Sequence, residues 1–505
     1  MIRLRFSTLL CLGAMLVSAQ ELRDYERKVT EFTLSNGLHF ILLERHQVPV
    51  VSFHTYVNAG AVEDPSGKTG LASLIARLAF DGTESIGTRN WPAEKKALED
   101  VETAFDHWDD ERSKGSATPG EFAVVQAAEA AALSAAFQQQ NPDEYLRAIQ
   151  ENGGVAIDSR ATSDSIEVSY SLPSNRMELW FMLESQHMLH PVLRDFYRER
   201  QKLLRDSAAS FDPKSPARVR QALLSTAFEQ LSYRNPVLGW PNDVSDLRTA
   251  DAKAYLDRYC VPANTVIAIV GDVDPSGARA FADKYFGPVP ARPRPLLPQG
   301  QEVPQNGPKA VTLWGTAEPR LLIGYKRPPE NDRDDAALDA VATILGDRQT
   351  GWLQKELIED QQIARNVEAI SDYPAGRFIN LFVLTATPAR DHTVEESRKA
   401  IEEAVVRLQS RPVDAETLAR TRNVLRGRFL RLLGSNQELA SMLPSFYANY
   451  GDWRKLFALG GAYERLTAED IQRVASTYLI PAGETVATFT SMPAPANASN
   501  SGGQQ

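Results

Sequence analysis

The chain has 505 residues, 43% of them apolar and 24% charged, a mixture that supports packed cores and excludes collagen-like repetition or wholesale disorder. With 55 Lys+Arg against 65 Asp+Glu the formal net charge is -10, so no general basic field exists to attract nucleic acid or anionic lipid. Two cysteines, Cys11 and Cys260, cannot make a disulfide scaffold.

Residues 1–19 read as a secretory leader. Arg3 and Arg5 charge its start, Thr8 to Val17 form an apolar run too short to span a bilayer, and Val17-Ser18-Ala19 is a small-residue cleavage site. Cleavage after Ala19 predicts export to a periplasm. No later stretch reaches 18 uncharged apolar residues, so no transmembrane segment is expected. Val29 to Leu34 and Leu38 to Leu43 flank Ser35-Asn36-Gly37, which predicts a β-hairpin because Asn-Gly tolerates positive φ. Val50 to Val57 continues as a strand. From Gly70 a helix is expected with Leu71, Leu74, Ile75 and Leu78 on one face.

Residues 94–140 read as a helical hairpin inserted on the domain surface. Leu98, Val101, Phe105 and Trp108 stripe its first helix, and Thr118-Pro119-Gly120-Glu121 opens the second with a cap, an N1 proline and an acid at N3. Seven prolines between Gly287 and Pro308 forbid both a continuing helix and a central strand. They mark a linker, 287–308, between a first half, 20–286, and a second, 309–490. Residues 491–505 are Ala, Asn, Ser, Gly and Gln-rich and read as a disordered tail.

The halves resemble each other at an offset of about 220 residues. Leu247-Arg248-Thr249-Ala250 is followed by Tyr259-Cys260-Val261-Pro262 and Thr265-Val266; Leu466-Thr467-Ala468 is followed by Tyr478-Leu479-Ile480-Pro481 and Thr485-Val486. Each passage predicts a capped helix, a proline-marked turn and a β-branched strand. The expectation is an α+β chain of two related halves with largely antiparallel sheets.

Asp64-Pro65, Lys68-Thr69-Gly70-Leu71-Ala72, Phe80, Gly82-Thr83-Glu84, Glu151-Asn152-Gly153-Gly154, Ser163-Asp164, Ser171-Leu172-Pro173, Leu183-Glu184-Ser185 and Glu199-Arg200 together resemble the pitrilysin/insulinase family of zinc peptidases, the inverzincins. The resemblance spans nearly the whole chain after the leader. It implies two α+β halves joined by a linker and facing each other as a clam-shell around a peptide chamber. The 94–140 segment resembles an insertion in some exported bacterial members.

The chemistry departs from the family. Members that cleave peptides carry His-x-x-Glu-His on the helix after Gly-Leu-Ala, where i and i+4 place two imidazoles on one face beside the general base. Here Ser73, Ala76 and Arg77 occupy those positions, and the family's third ligand falls on Asp206. Intact members hold zinc; for this chain neither a metal nor any other cofactor is expected, and no catalytic residue is assigned. Ser73, Ala76 and Arg77 read as the polar side of a packed helix, with Arg77 as a carboxylate-binding group the alternative. The substrate-gripping Arg and Tyr implied for the second half are replaced by Ile358 and Arg365. The family's peptide-binding edge strand corresponds to Asp158, Ser159, Arg160 and Ala161, where main-chain pairing of a peptide survives side-chain change; a solvated strand protected by Arg160 is the competing reading.

Glu184, His187 and His190 fan too widely around a helix for a metal shell and read as helix-surface residues. His39, His46, His54, His107 and His392 are scattered, and Cys260 reads as an inert buried thiol. The leading functional expectation is a non-catalytic homologue that binds peptides or pairs with an exported homologue bearing intact His-x-x-Glu-His, or with a second copy of itself. An active peptidase with relocated catalytic residues and a purely structural assembly subunit are the alternatives.

Overall fold

The computed structural model describes residues 25–114, 119–297 and 300–491. The expected leader, Thr118 and the tail beyond Ser491 lie outside them. The first half builds a six-stranded sheet from β1 (Val29–Thr33), β2 (His39–Glu44), β3 (Val50–Val57), β4 (Val155–Ala161), β5 (Ile166–Pro173) and β6 (Thr265–Gly271), in the order β1-β2-β6-β3-β5-β4. The hairpin pairs Val29 with Leu43 and Thr33 with His39. Gly37 takes φ +94° at its turn, and the Asn36 amide donates to the carbonyls of Phe286 and Val289 at 2.8 and 3.0 Å, so the turn is also an anchor.

Helices of this half include α1 (Leu71–Arg77), α2 (Trp91–Lys114), α3 (Pro119–Gln138), α4 (Glu144–Glu151), α5 (Met177–Leu189), α6 (Phe196–Ser210), α7 (Ala217–Ala227), α8 (Thr249–Tyr259) and α9 (Pro275–Tyr285). As the spacing predicts, Leu71, Leu74, Ile75 and Leu78 of and beside α1 are buried. Helices α2 and α3 form the inserted hairpin. It is fixed to the body by Phe105 stacked on Tyr197 and by Arg248, whose guanidinium meets Asp106 and Asp109 at 2.5 and 2.8 Å.

The second half forms a five-stranded sheet from β7 (Lys309–Gly315), β8 (Arg320–Arg327), β9 (Ala364–Tyr373), β10 (Asn380–Pro388) and β11 (Glu484–Ser491), in the order β7-β11-β8-β10-β9. Ser491 is therefore not tail: it closes β11, paired with Gly315. The pairings β2–β6 and β7–β11 are parallel and the others antiparallel. Superposing the orders makes β2, β6, β3, β5 and β4 the counterparts of β7, β11, β8, β10 and β9. The internal repeat seen in the sequence is thus a repeat of topology, with β1 as the first half's addition.

Its helices include α10 (Asp335–Gly346), α11 (Val394–Ser410), α12 (Ala415–Gly434), α13 (Asn436–Tyr450), α14 (Lys455–Arg465) and α15 (Ala468–Tyr478). Thr467 and Asp470 form a reciprocal cap on α15. The halves exchange helices. Val219, Leu223 and Leu224 of α7 pack on Leu322, Leu381 and Phe489 of the second sheet, while α13 lies across β3 and β6 of the first. One apolar cluster consequently contains Ile41, Val266 and Val270 of the first half and Leu321, Leu439 and Leu443 of the second. The proline-rich connection carries neither helix nor strand at 290–297 and 300–306, yet Glu302 accepts hydrogen bonds from the backbone of Glu229, Gln230 and Leu231 and is pinned there.

Candidate functional site

Helix α1 starts where it does because Asp64 caps it. Its carboxylate accepts from the backbone N–H of Gly70 at 2.7 Å and of Ala72 at 3.0 Å, and Gly70 takes φ +94° with Leu238 O, Val244 and Gly239 where a side chain would go. Burial raises the Asp64 carboxyl well above the usual range against these bonds.

On α1 the family's three motif positions have settled into separate structural roles. The Ser73 hydroxyl donates to the Val237 carbonyl at 2.6 Å. Ala76 is buried, and its carbonyl accepts the Ser159 hydroxyl of β4 at 2.7 Å. Ser73 and Ala76 are therefore core-facing, which corrects the reading of these positions as a polar helix side; only Arg77 reaches solvent. Its guanidinium meets Asp206 of α6 at 2.6 Å. Of the four positions the resemblance singles out, the structure joins Arg77 and Asp206 as a salt bridge.

These residues do not fit zinc. A catalytic site needs three protein ligands and an open position. Here one hydroxyl is committed to a carbonyl, one position is a methyl group, one is a fixed cation, and the remaining carboxylate is held by that cation. No side chain at Ala76 can take a proton from water. Among the described residues no group of three or more His, Cys, Asp and Glu is placed to hold a metal ion.

β4 is an edge strand. Asp158, Ser159, Arg160 and Ala161 pair inward with Ser169, Val168, Glu167 and Ile166 of β5, and their outer side has no partner strand among the described residues. A register shift between Val155 and Asp158, where Ala156 has φ +54°, bends its beginning. Arg160 bonds Glu167 at 2.6 Å. That carboxylate also accepts from Ser165 at 2.7 Å and lies 3.4 Å from the buried His54. Burial opposes its ionisation, but His54, Arg160 and Ser165 together bring Glu167 down to about 2.

Ile358 sits in the helical stretch Gln354–Asp360 and packs against the large core. Arg365, at the start of β9, is exposed and pairs with Glu318 at 2.5 Å. Neither forms a hydrogen bond or ion pair with Arg77 or Asp206 among the described residues. Glu184 is not on the surface as its helical position suggested: it is buried, and its Oε1 accepts from the hydroxyls of Tyr145 and Tyr170, each at 3.2 Å. Burial pushes it up to about 7 and pushes His187 down to about 4. His190 is exposed, 3.6 Å from Glu84. Burial raises the Cys260 thiol to about 12, so it is not a ready nucleophile.

A second polar cluster, unforeseen in the sequence, joins the halves. Arg377, between β9 and β10, meets Glu63 at 2.6 Å and donates to the Asp164 carbonyl, while its own N–H donates to the Asp164 carboxylate at 3.0 Å. Tyr233 donates to the same carboxylate at 2.6 Å. Asp164 was visible as part of a motif; its partner 213 residues away in sequence was not.

A family model described as the peptidase M16 inactive domain matches residues 246–425, a stretch that contains none of the motif positions on α1 and α6. Zinc protease PqqE of Helicobacter pylori is 21% identical over 90% of this chain and 91% of its own length. The chain is thus similar to the M16 peptidases over most of its length, and residues 246–425 match a domain model of that family. A solved protease from Helicobacter pylori superposes with a TM-score of 0.77 at 18% identity, covering 92% of this chain and 99% of its own. The periplasmic protease PqqL of Escherichia coli superposes with a TM-score of 0.67 at 13% identity, covering 92% of this chain but 47% of its own. At the level of fold, one copy of this chain corresponds to about half of that protein.

Proposed function

We propose that this chain is a non-catalytic member of the M16 family, exported to a periplasm, that forms one wall of a peptide chamber in complex with a zinc-bearing relative. The observation carrying this reading is the Arg77–Asp206 salt bridge, which holds one positive charge on the third ligand position where intact members hold a dication. The half-length correspondence to a periplasmic protease supports both the pairing and the location. Exposed outer backbone on β4 supports a peptide-holding role for Asp158 to Ala161, the wall then contributing a strand edge instead of a catalyst.

Two measurements test it. The mature protein is expected to carry no stoichiometric zinc and to cleave no unfolded peptide; elemental analysis finding about one zinc per chain, lost in Asp206→Ala, overturns the non-catalytic reading. Co-expressed with an exported relative bearing the intact motif, it is expected to co-elute in size-exclusion chromatography. Separate elution at micromolar concentration, with the relative's peptidase rate unchanged, overturns the pairing.

A further inference from the structure

We propose that the seam between the halves carries a binding site: a pocket between α7 and the open face of the second sheet that takes the C-terminal carboxylate of a peptide ending in an apolar residue. The pocket measures about 340 Å3, within the range of sites that bury small groups. The proposal rests on the peptide-holding part of the proposed function and gives it a substrate class; it does not depend on pairing with a relative.

Strand alternation builds the floor. Leu321 and Ile323 of β8 belong to the large core, so Leu322 and Arg320 share the opposite face. On that face Leu322 pairs with Thr385 and Thr385 with Glu368, Gly324 pairs with Val383 and Val383 with Ile370, and Thr387 pairs with Asn366. Helix α7 covers only part of these rows. Its Leu223 lies over Gly324, 3.3 Å from where a Cβ would stand. Arg220 precedes Leu223 by one turn on the same side of the helix and lines the uncovered part together with Arg320.

The charged groups lining the pocket are Arg220, Arg320 and Glu368. Neither of these guanidiniums makes a hydrogen bond or ion pair among the described residues, whereas the neighbouring Arg365 is spent on Glu318 at 2.5 Å. Burial and then the charge of Arg220 hold Arg320 below its ordinary value, so an anion beside both arginines relieves a repulsion, and a guanidinium fork matches a carboxylate. Glu368 does not cancel them. The register sets it two strands away from β8, about 10 Å across the floor, on the edge strand β9. The pocket is therefore polarised, with cations at the β8 side and a carboxylate at the β9 side. Thr385, Thr387 and Asn366 line the floor and offer hydrogen bonds to the amide groups that precede a chain end. Glu368 accepts an N–H there and opposes a second negative charge, which selects a single terminal carboxylate over a polyanion. Ile370 and Tyr373 give the last side chain an apolar wall.

The probe is acetyl-dialanyl-leucine as the free acid, titrated calorimetrically into the mature protein at pH 7, with its C-terminal amide and inorganic phosphate as controls. The acid is expected to bind about ten-fold or more tightly than the amide, as charge-assisted hydrogen bonds imply, and phosphate not to displace it at equal concentration. Arg320→Gln and Arg220→Gln are each expected to weaken the acid about ten-fold and to leave the amide unchanged; Arg220 is exposed, so its variant serves where Arg320→Gln folds poorly. Glu368→Gln, which removes the like charge and keeps an acceptor, is expected to tighten the acid several-fold. Equal binding of acid and amide, displacement by phosphate, or unchanged affinity in both arginine variants overturns the carboxylate site and leaves peptide holding intact. No heat with either peptide up to millimolar concentration overturns both.

Discussion

Two guanidinium–carboxylate pairs in this molecule have nearly the same N–O distance and opposite settings. Arg77 and Asp206 meet between α1 and α6 at 2.6 Å, with side chains 28% and 53% exposed. Arg377 and Glu63 also meet at 2.6 Å, with side chains 9% and 0% exposed, where the two halves join. Water screens the first pair and its removal leaves two groups that can solvate. At the second, losing the cation strands Glu63 and Asp164 in the interior. Equal contact distance therefore carries unequal weight: the exposed pair between α1 and α6 can be lost to water, whereas the buried pair at the seam between the halves cannot.

The comparison breaks most readily at Arg377. Arg377→Met is expected to destabilise by about 3–5 kcal/mol, the cost of breaking a buried pair, and to lower the midpoint of urea unfolding accordingly. A change below about 1 kcal/mol would erase the distinction between the two pairs. Glu63→Gln in the Arg377→Met background is expected to recover part of the loss, since a neutral amide is cheaper to bury than a carboxylate.

Glu184 sharpens the contrast, being a buried carboxyl with tyrosines for partners. Its folded pKa, pushed up by burial to about 7 from a usual 4.5, means that the folded state binds the proton more tightly. Its stabilising contribution is full below about pH 4.5 and is lost as pH rises through about 7, a difference on the order of 3 kcal/mol. Unfolding of the wild type and of Glu184→Gln, followed from pH 5 to pH 8, is expected to show the wild type losing ground to the variant as pH rises. Parallel profiles would show that Glu184 does not titrate differently on folding.

The smallest effect is expected at the Arg77–Asp206 pair. Arg77→Met and Asp206→Asn should each change stability by about 1 kcal/mol or less. The combined change Ser73→His, Ala76→Glu and Arg77→His is expected to recruit zinc weakly at best and to restore little turnover, because Ser73 and Ala76 face the core and no supporting groups orient new ligands. Elemental analysis and a peptide-cleavage assay check both statements.

Much of the fold was legible before any coordinates. Asn36-Gly37 marked the hairpin, the Leu71 to Leu78 spacing marked the helix, and the echo of Thr265-Val266 in Thr485-Val486 marked a repeat, because backbone preference and apolar periodicity are local properties. The residue types at the positions the resemblance singles out, Ser73, Ala76, Arg77 and Asp206, were equally legible. Less legible was what the replacements do. Nothing local shows that the Ser73 hydroxyl is spent on the Val237 carbonyl, or that Glu184 lies between Tyr145 and Tyr170 instead of on a helix surface.

The sequence by itself determined which elements this chain forms and which residue types stand at the motif positions Ser73, Ala76, Arg77 and Asp206, for both follow from side-chain identity and short-range spacing. Tertiary structure alone decided that α7 and α13 cross to the opposite sheets, that Arg377 closes on Glu63 and Asp164, and that Arg77 turns to Asp206. Those outcomes depend on which apolar faces and charged groups meet once distant segments are packed together, and such partners are set by proximity in space, which residue order does not encode.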